Sequence, residues 1–456
     1  MYSSLNLSSS ARSAMAPKYY IENYGCALAE FDASIMALQL ESAGYVRTND
    51  VSEADVIVVN TCAVRLDTEA KIAKRLDELG RLGVKGKLVV AGCLAKARPS
   101  LVLRHAPRAS LLSPQNASRI LEAVASPSPV YLLEGERDTS FMPVPPMRDR
   151  IATVMVSEGC LDNCSFCETK LARRTLKSYP PRLIVDVVRE LVRRGAKEIR
   201  ITGQDVAAYG YDIPGGWRLP DLISAILDKV EGDYMIRVGM MTPNMAMEIM
   251  DDLLDVYRDD RVFKFFHIPV QSGDDRVLKI MNRRYTVAEF KELHAKVKSR
   301  YPDSLFATDI IVGHPGEDEE AFENTVRLVR ELRFERVYLA QYSIRPRTLS
   351  ASLPQVPEPI KKERSLRLNA VLEEIGRKIY GRYVGMEVEA LVTSRGFREG
   401  YLTARLRNYF PLAIRGGEEL LGRRVVAKVT DASYFDLRGE LVSEVGPKAR
   451  PSPEAP

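Results

Sequence analysis

From Lys18 onward the sequence alternates short β-branched runs with amphipathic stretches, and it does so twice, on either side of a proline-rich segment. Apolar strands separated by helical patterns read as parallel sheets joined by right-handed crossovers, which leaves few topologies open. The first series runs KYYIENYG, a periodic stretch from Asp32 to Ala43, ADVIVVNTC, a charged amphipathic stretch from Asp67 to Leu82, and KLVVAGC. It predicts a small parallel α/β domain over residues 17–125. A cysteine follows each of its three strands, so Cys26, Cys62 and Cys93 are expected together at the carboxyl edge of the sheet, where open α/β sheets hold ligands.

Residues 126–148 contain Pro127, Pro129, Pro143, Pro145 and Pro146 with no sustained periodicity, and read as a domain linker. The second series has six strand signals, IATVMVSEGC, KEIRITGQD, YMIRVGM, FKFFHIPVQ, LFATDIIVG and RVYLAQYS. Helical patterns near Pro181–Arg194, Asp221–Val230, Asn244–Tyr257, Val287–Lys298 and Glu319–Leu332 separate them. The expectation is an incomplete parallel (β/α)6 barrel over residues 149–382 with its active site at the strand carboxyl ends. After a charged helical stretch, Lys361 to Tyr383, come MEVEALVTSR, YLTARLRNYFPLAI, RRVVAKVTDAS and LRGELV. These short strands predict a small antiparallel OB-like barrel over residues 383–446. The Ser-rich residues 1–16 read as a disordered leader or an upstream start, with a transit peptide as the alternative, and residues 447–456 as a loose tail.

A chain of 456 residues with 45% hydrophobic and 28% charged residues can bury real cores, which excludes wholesale disorder. No run approaches the roughly 18 apolar residues of a membrane span, so no membrane association is expected. Sixty-six basic against sixty-one acidic residues leave +5, a balance that tolerates an anionic partner without requiring one. Six cysteines without a secretory signal point to a reducing compartment, the cytoplasm, rather than to a disulfide scaffold.

Three of the six form CLDNCSFC, a C-x3-C-x2-C triplet of Cys160, Cys164 and Cys167 in the loop after the first strand of the second series. Structural zinc prefers paired C-x2-C knuckles with a fourth ligand nearby, and His105, His267, His294 and His314 all lie far away in sequence. Thiolates suit iron–sulfur clusters, in which a cubane normally takes four, so three leave one iron open. Here the sequence resembles the radical S-adenosylmethionine superfamily. Cys26, Cys62 and Cys93, each of which alone reads as a small buried hydrophobe, read as a set as a second cluster site.

The whole pattern from Lys18 to about Val445 resembles the methylthiotransferases, which join an amino-terminal cluster domain, a radical S-adenosylmethionine barrel and a carboxyl-terminal TRAM domain. Further matches are ITGQDVAAYG (Ile201 to Gly210), HIPVQSGDDRVLKIMNRRYT (His267 to Thr286) and TDIIVGHPGE (Thr308 to Glu317). The segment KLARRTLKSYP (Lys170 to Pro180) and the AYG element are most similar to the archaeal and eukaryotic branch. The resemblance implies an enzyme that turns N6-threonylcarbamoyladenosine at position 37 of tRNA into its 2-methylthio derivative. Isopentenyladenosine in tRNA and a ribosomal-protein aspartate are alternative substrates for the same chemistry, and a non-catalytic iron–sulfur RNA-binding protein is the alternative of another class. Implied with the activity are two 4Fe–4S clusters, two S-adenosylmethionine molecules per turnover, a low-potential electron donor, a sulfur source and a monomeric chain.

By the same resemblance Phe166, Gly203, Gln204, Asp205, Gln271, Ser272, Arg283 and Gly313 are expected to bind the cofactor, Asp205 meeting its ammonium group and Gly313 and Gly316 its adenine. By pattern alone, Asp205 reads as a helix cap, Glu317 as a first-turn carboxylate, and His267 and His314 as neutral polar groups. In the tail, Arg395, Arg398, Arg405, Arg407, Tyr409 and Phe410 interleave charge with aromatics, which suits RNA, with a solvated basic face as the alternative. Two positions depart from the family: Arg347 stands where glycine is usual, and Ala172 to Arg174 read ARR where HARG is frequent.

Overall fold

A computed structural model of the chain describes residues 16–63, 66–82 and 86–446. The leader and tail expected at the two ends fall almost wholly outside these residues. The first domain is a six-stranded parallel sheet: β1 (Lys18–Asn23), β2 (Val46–Arg47), β3 (Val56–Thr61), β4 (Lys87–Gly92), β5 (Ser110–Leu112) and β6 (Tyr131–Leu132), in the order β2-β1-β3-β4-β5-β6. The VIVV run of β3 is buried on both faces, as a central parallel strand requires. Helices α1 (Ala27–Ser42), α2 (Leu66–Arg81), α3 (Cys93–Ala97), α4 (Pro99–His105) and α5 (Ile120–Ala125) cover the sheet. Helix α1 starts directly after Cys26, five residues before the apolar periodicity at Asp32 becomes legible.

The proline-rich segment is an ordered strap rather than a free linker. It adds β6 to the first sheet, buries Arg137, and then forms the hairpin of β7 (Met147–Arg148) and β8 (Ile151–Met155) that opens the second domain. There, β8, β11 (Glu198–Thr202) and β12 (Met235–Arg237) run parallel, as do β13 (Phe265–His267), β14 (Leu305–Val312) and β15 (Arg336–Gln341). Bridges Ile236–Val262 and Met240–His267 join the two groups into an open six-stranded barrel wall. The ribbon of β9 (Ser157–Glu158) and β10 (Lys177–Ser178) frames the cysteine loop and its short helix α6 (Thr169–Ala172). The outer helices α7 (Pro181–Arg193), α8 (Leu219–Lys229), α9 (Pro243–Val256), α10 (Asp275–Ile280), α11 (Val287–Arg300) and α12 (Glu319–Leu332) present buried aliphatic stripes to the wall.

The long helix α13 (Glu358–Gly381) leads into a closed barrel of β16 (Glu387–Arg395), β17 (Tyr401–Leu406), β18 (Pro411–Arg415), β19 (Arg424–Ala432) and β20 (Leu437–Val445). It seats under the amino ends of the large barrel's strands. Lys264 N donates to the Arg407 carbonyl (2.9 Å), Arg150 N to the Thr393 carbonyl (3.1 Å), and Arg424 pairs with Asp233 (3.0 Å). Among the described residues no helix is long and apolar enough to cross a membrane.

Candidate active site

Register brings the first triplet together. Asn23 pairs with Asn60, Asn60 with Ala91, and Thr61 with Gly92, so the three strands end level and Cys26, Cys62 and Cys93 follow side by side. Cys26 is exposed, while Cys62 and Cys93 are buried. Burial pushes the Cys93 thiol up to about 12, against the pull of the Arg173 guanidinium beside it.

The second triplet lies in the loop between β9 and β10. Gly159 opens it with φ +84°, and any Cβ there would collide with the Thr175 carbonyl, so the turn out of the strand requires glycine. Contacts from four directions hold the loop. Gly159 N donates to Gln204 Oε1 (2.7 Å), Asn282 Nδ2 to the Asn163 carbonyl (2.7 Å), Asn244 Nδ2 to Asp162 (3.0 Å), and Ser350 Oγ to Ser165 Oγ (2.8 Å). His314 Nε2 lies 2.8 Å from Ser350 Oγ, and its ring meets Phe166 edge-on; burial lowers this imidazole to about 4, so it is neutral.

Donors reach all three sulfurs: Arg283 Nη1 to Cys164 Sγ (3.1 Å), Asp162 N to Cys160 Sγ (3.4 Å), and Thr169 and Lys170 to Cys167. Among the described residues no three His, Cys, Asp or Glu side chains converge on a single metal-ion position. Cubane ligands sit on separate irons and need no such convergence, while hydrogen bonds to the sulfurs are what such a cluster uses. The buried Oε1 of Gln271, Oγ of Ser157 and Oδ1 of Asn244 have no hydrogen-bond partner among the described residues. A polar cofactor would satisfy them, and the residues present fit a cluster with a bound S-adenosylmethionine.

The structure gives several of the expected contact residues partners within the chain. Asp205 is fully buried and accepts from Ala207 N, Thr242 N and Thr242 Oγ; burial raises it to about 6, against those hydrogen bonds. It caps the turn after β11. Ser272 is buried and accepts from Asp274 N in a turn. Gly313 and Gly316 are demanded by the chain itself, because Cβ atoms there would strike Lys361 and Ile280. In the small barrel, Tyr409 is buried in the domain seam, its hydroxyl donating to Glu198 (2.5 Å) and its ring packed against Phe263 and Phe265, so the expectation that it stacks on RNA is corrected. Phe410 is buried against Tyr380. Arg395 pairs with Asp149 and Glu418, Arg407 with Asp260, and Arg405 turns inward over the Tyr409 ring.

The sequence did not single out the residues that join the two triplets. Asp32 on α1, Arg137 on the strap, Glu158 on β9 and Arg173 after α6 form a closed set of four ion pairs, each side chain at most 2% exposed. A second bridge runs from Arg345 to Glu69 (2.9 Å) and to Glu168 (3.7 Å), which follows Cys167. Arg347 adopts φ +70° and donates to the Ala97 carbonyl (3.0 Å), which accounts for glycine being usual at that position.

An open parallel barrel with a three-cysteine loop at its strand ends defines a radical S-adenosylmethionine protein. The chain matches the radical SAM superfamily over residues 154–329, an uncharacterized protein family designated UPF0004 over 18–113, and the TRAM domain over 381–442. A probable threonylcarbamoyladenosine tRNA methylthiotransferase of Pyrococcus abyssi is 38% identical over 93% of this chain and 100% of its own. The human threonylcarbamoyladenosine tRNA methylthiotransferase is 31% identical over 94% of this chain and 74% of its own. The chain therefore belongs to the threonylcarbamoyladenosine tRNA methylthiotransferase family. Among solved structures, the radical S-adenosylmethionine methyltransferase TsrM of Kitasatospora setae, with cobalamin and a 4Fe–4S cluster bound, shares the fold at 14% identity, with a TM-score of 0.55 over 74% of this chain and 77% of its own.

Proposed function

We propose that the protein is an enzyme that converts N6-threonylcarbamoyladenosine at position 37 of tRNA to its 2-methylthio derivative, with two 4Fe–4S clusters and two S-adenosylmethionine molecules per turnover. The observation that carries this reading is the junction of the two cysteine triplets. One triplet follows the strands of the first parallel sheet and the other follows β9, the buried four-residue ion set locks those ends together, and Ala27 beside Cys26 lines the same cavity as Thr202 beside Gly203. When bound, the clusters and cofactor supply one-electron chemistry that opens an unactivated aromatic C–H bond, together with the sulfur and methyl group that replace its hydrogen.

The chain's own residues hold and orient. Arg283 hydrogen-bonds the Cys164 sulfur, and Arg173 places positive charge beside Cys93. Gln271, Ser157 and Asn244 offer acceptors at the strand ends. The same proposal includes a monomeric chain, a low-potential electron donor and a source that replenishes the sulfur. For tRNA, the structural candidates move from Tyr409 to the β16–β17 hairpin tip, where Phe397 stands fully exposed beside the exposed Arg398. Aromatics flanked by arginine suit single-stranded RNA.

The test is nucleoside mass spectrometry after anaerobic reaction of the reconstituted protein with threonylcarbamoylated tRNA, reductant and S-adenosylmethionine. The expected result is a gain of CH2S confined to N6-threonylcarbamoyladenosine. A gain confined to isopentenyladenosine, or protein that takes up zinc and no iron, overturns the reading.

A further inference from the structure

The interior of the large barrel holds a cavity of about 530 Å³, within the ~300–1,000 Å³ range of small-molecule sites. It runs from Ala27 and Thr202 at the cysteine end down to Tyr409 and Phe435 of the small barrel, which close its floor. Four arginines line it, Arg200, Arg237, Arg336 and Arg405, against one lining carboxylate, Asp436. Arg200 and Arg237 are direct partners in the β11–β12 register, and like charges directly opposite on one sheet face are destabilising.

Glu198 pairs directly with Arg200, at 2.6 Å, and its charge also reaches Arg405 without an ion-pair contact. Among the described residues no carboxylate lies within ion-pair distance of Arg237, Arg336 or Arg405. Arg237 sits over the Phe265 ring (4.5 Å), Arg336 bonds the Phe435 carbonyl, and Arg405 Nε is buried without a hydrogen-bond partner. A partly buried excess of guanidinium groups favours an anion placed among them.

We propose that this arginine-lined lumen binds the α-carboxylate of the substrate's threonylcarbamoyl arm, and so selects the modified nucleoside over adenosine and over adenosines with uncharged N6 groups. The inference rests on the functional reading above and deepens it. Arg200 lies two residues, roughly 7 Å, below the Thr202 strand end, so the basic layer is set beneath the site of C2 chemistry rather than at it. A base entering with its Watson–Crick edge leading carries the arm ahead of it into this layer. The methionine carboxylate of the cofactor belongs at the opposite, cysteine end. A planar guanidinium fork matches a carboxylate, and Arg237 and Arg336 are free of competing acids.

The experiment compares binding of two anticodon stem-loops to the reconstituted holoenzyme at low salt: one bearing N6-threonylcarbamoyladenosine, the other its threonyl methyl ester. Wild type is expected to prefer the acid about tenfold or more, as a charge-assisted bidentate pair allows. Arg237→Met and Arg336→Met are each expected to remove most of that preference by weakening the acid alone. Arg237→Lys is expected to keep part of it, and thermal melting of each variant checks folding. Methylthio product from wild type with an acid preference that persists in both methionine variants overturns the lumen assignment alone. Absence of methylthio product from wild type on the acid stem-loop overturns the functional reading, and this one with it.

Discussion

At the scale of single residues, the side chains that join the two halves of the site are the ones with the least room for change. Arg173 shares Asp32 and Glu158 with Arg137 in full burial and lies beside Cys93. Replacing Arg173 by Met leaves two buried carboxylates with one guanidinium, and removal of one partner from such a set costs about 3–5 kcal/mol. A clear fall in the thermal unfolding midpoint is expected for Arg173→Met, and Arg173→Lys is expected to recover only part of it, because an ammonium does not reproduce the planar fork. Unchanged melting of Arg173→Met would remove the ion set from the account. None of this was legible beforehand. ARR stood out only as a departure from a family motif, Asp32 lay inside an ordinary amphipathic stretch, and Arg137 lay in a segment whose prolines read as linker. Partners more than 100 residues apart leave no local pattern.

At the scale of elements, alternation and spacing were sufficient. The six barrel strands and the three cysteine-tipped strands of the first sheet fall where the β-branched runs put them, and Glu319–Leu332 matches its helical stretch residue for residue. The reading failed where basic and aromatic residues serve a distant seam. Asp205 caps the turn after β11, as its pattern alone indicated, whereas Tyr409 lies in the turn between β17 and β18 with φ +72° and packs its ring into the seam. Basic and aromatic residues alternate along a strand in the same way whether they meet RNA or a neighbouring domain. The seam has a pH signature. Burial works to raise Glu198, but the guanidiniums of Arg200 and Arg405 and the Tyr409 hydroxyl outweigh it, so its carboxyl is held below the usual value. With a folded pKa lowered from an unfolded value of about 4.3, Glu198 contributes stability that is complete above that value and lost as pH falls through the folded one. Limited proteolysis across an acid titration should therefore release the small barrel only below about pH 4, and Glu198→Gln should weaken docking at neutral pH and flatten that acid step. Release that begins near neutral pH in wild type would contradict this assignment.

At the scale of the whole molecule, all three domains contribute to the lumen: the start of α1 and the end of β11 at its mouth, the large barrel as its wall, the small barrel as its floor. The small barrel thus has two faces, one sealing the lumen and one carrying the exposed Phe397 and Arg398. Base–aromatic stacking is worth about 1–3 kcal/mol, so Phe397→Ala should weaken tRNA binding roughly 5- to 150-fold while melting stays near wild type. Arg398→Ala should lower affinity across different tRNAs and reduce the salt slope by about 1, as loss of a phosphate contact does. Unaltered affinity and slope in both variants would move RNA binding to the cavity mouth. The central claim, that two separate cysteine triplets serve one reaction, is tested most directly by replacing Cys26, Cys62 and Cys93 together with Ala. The account predicts that the anaerobically reconstituted variant holds about half of the roughly eight irons expected for two cubanes, still cleaves S-adenosylmethionine, and makes no methylthio nucleoside. Full product formation by this variant would contradict it.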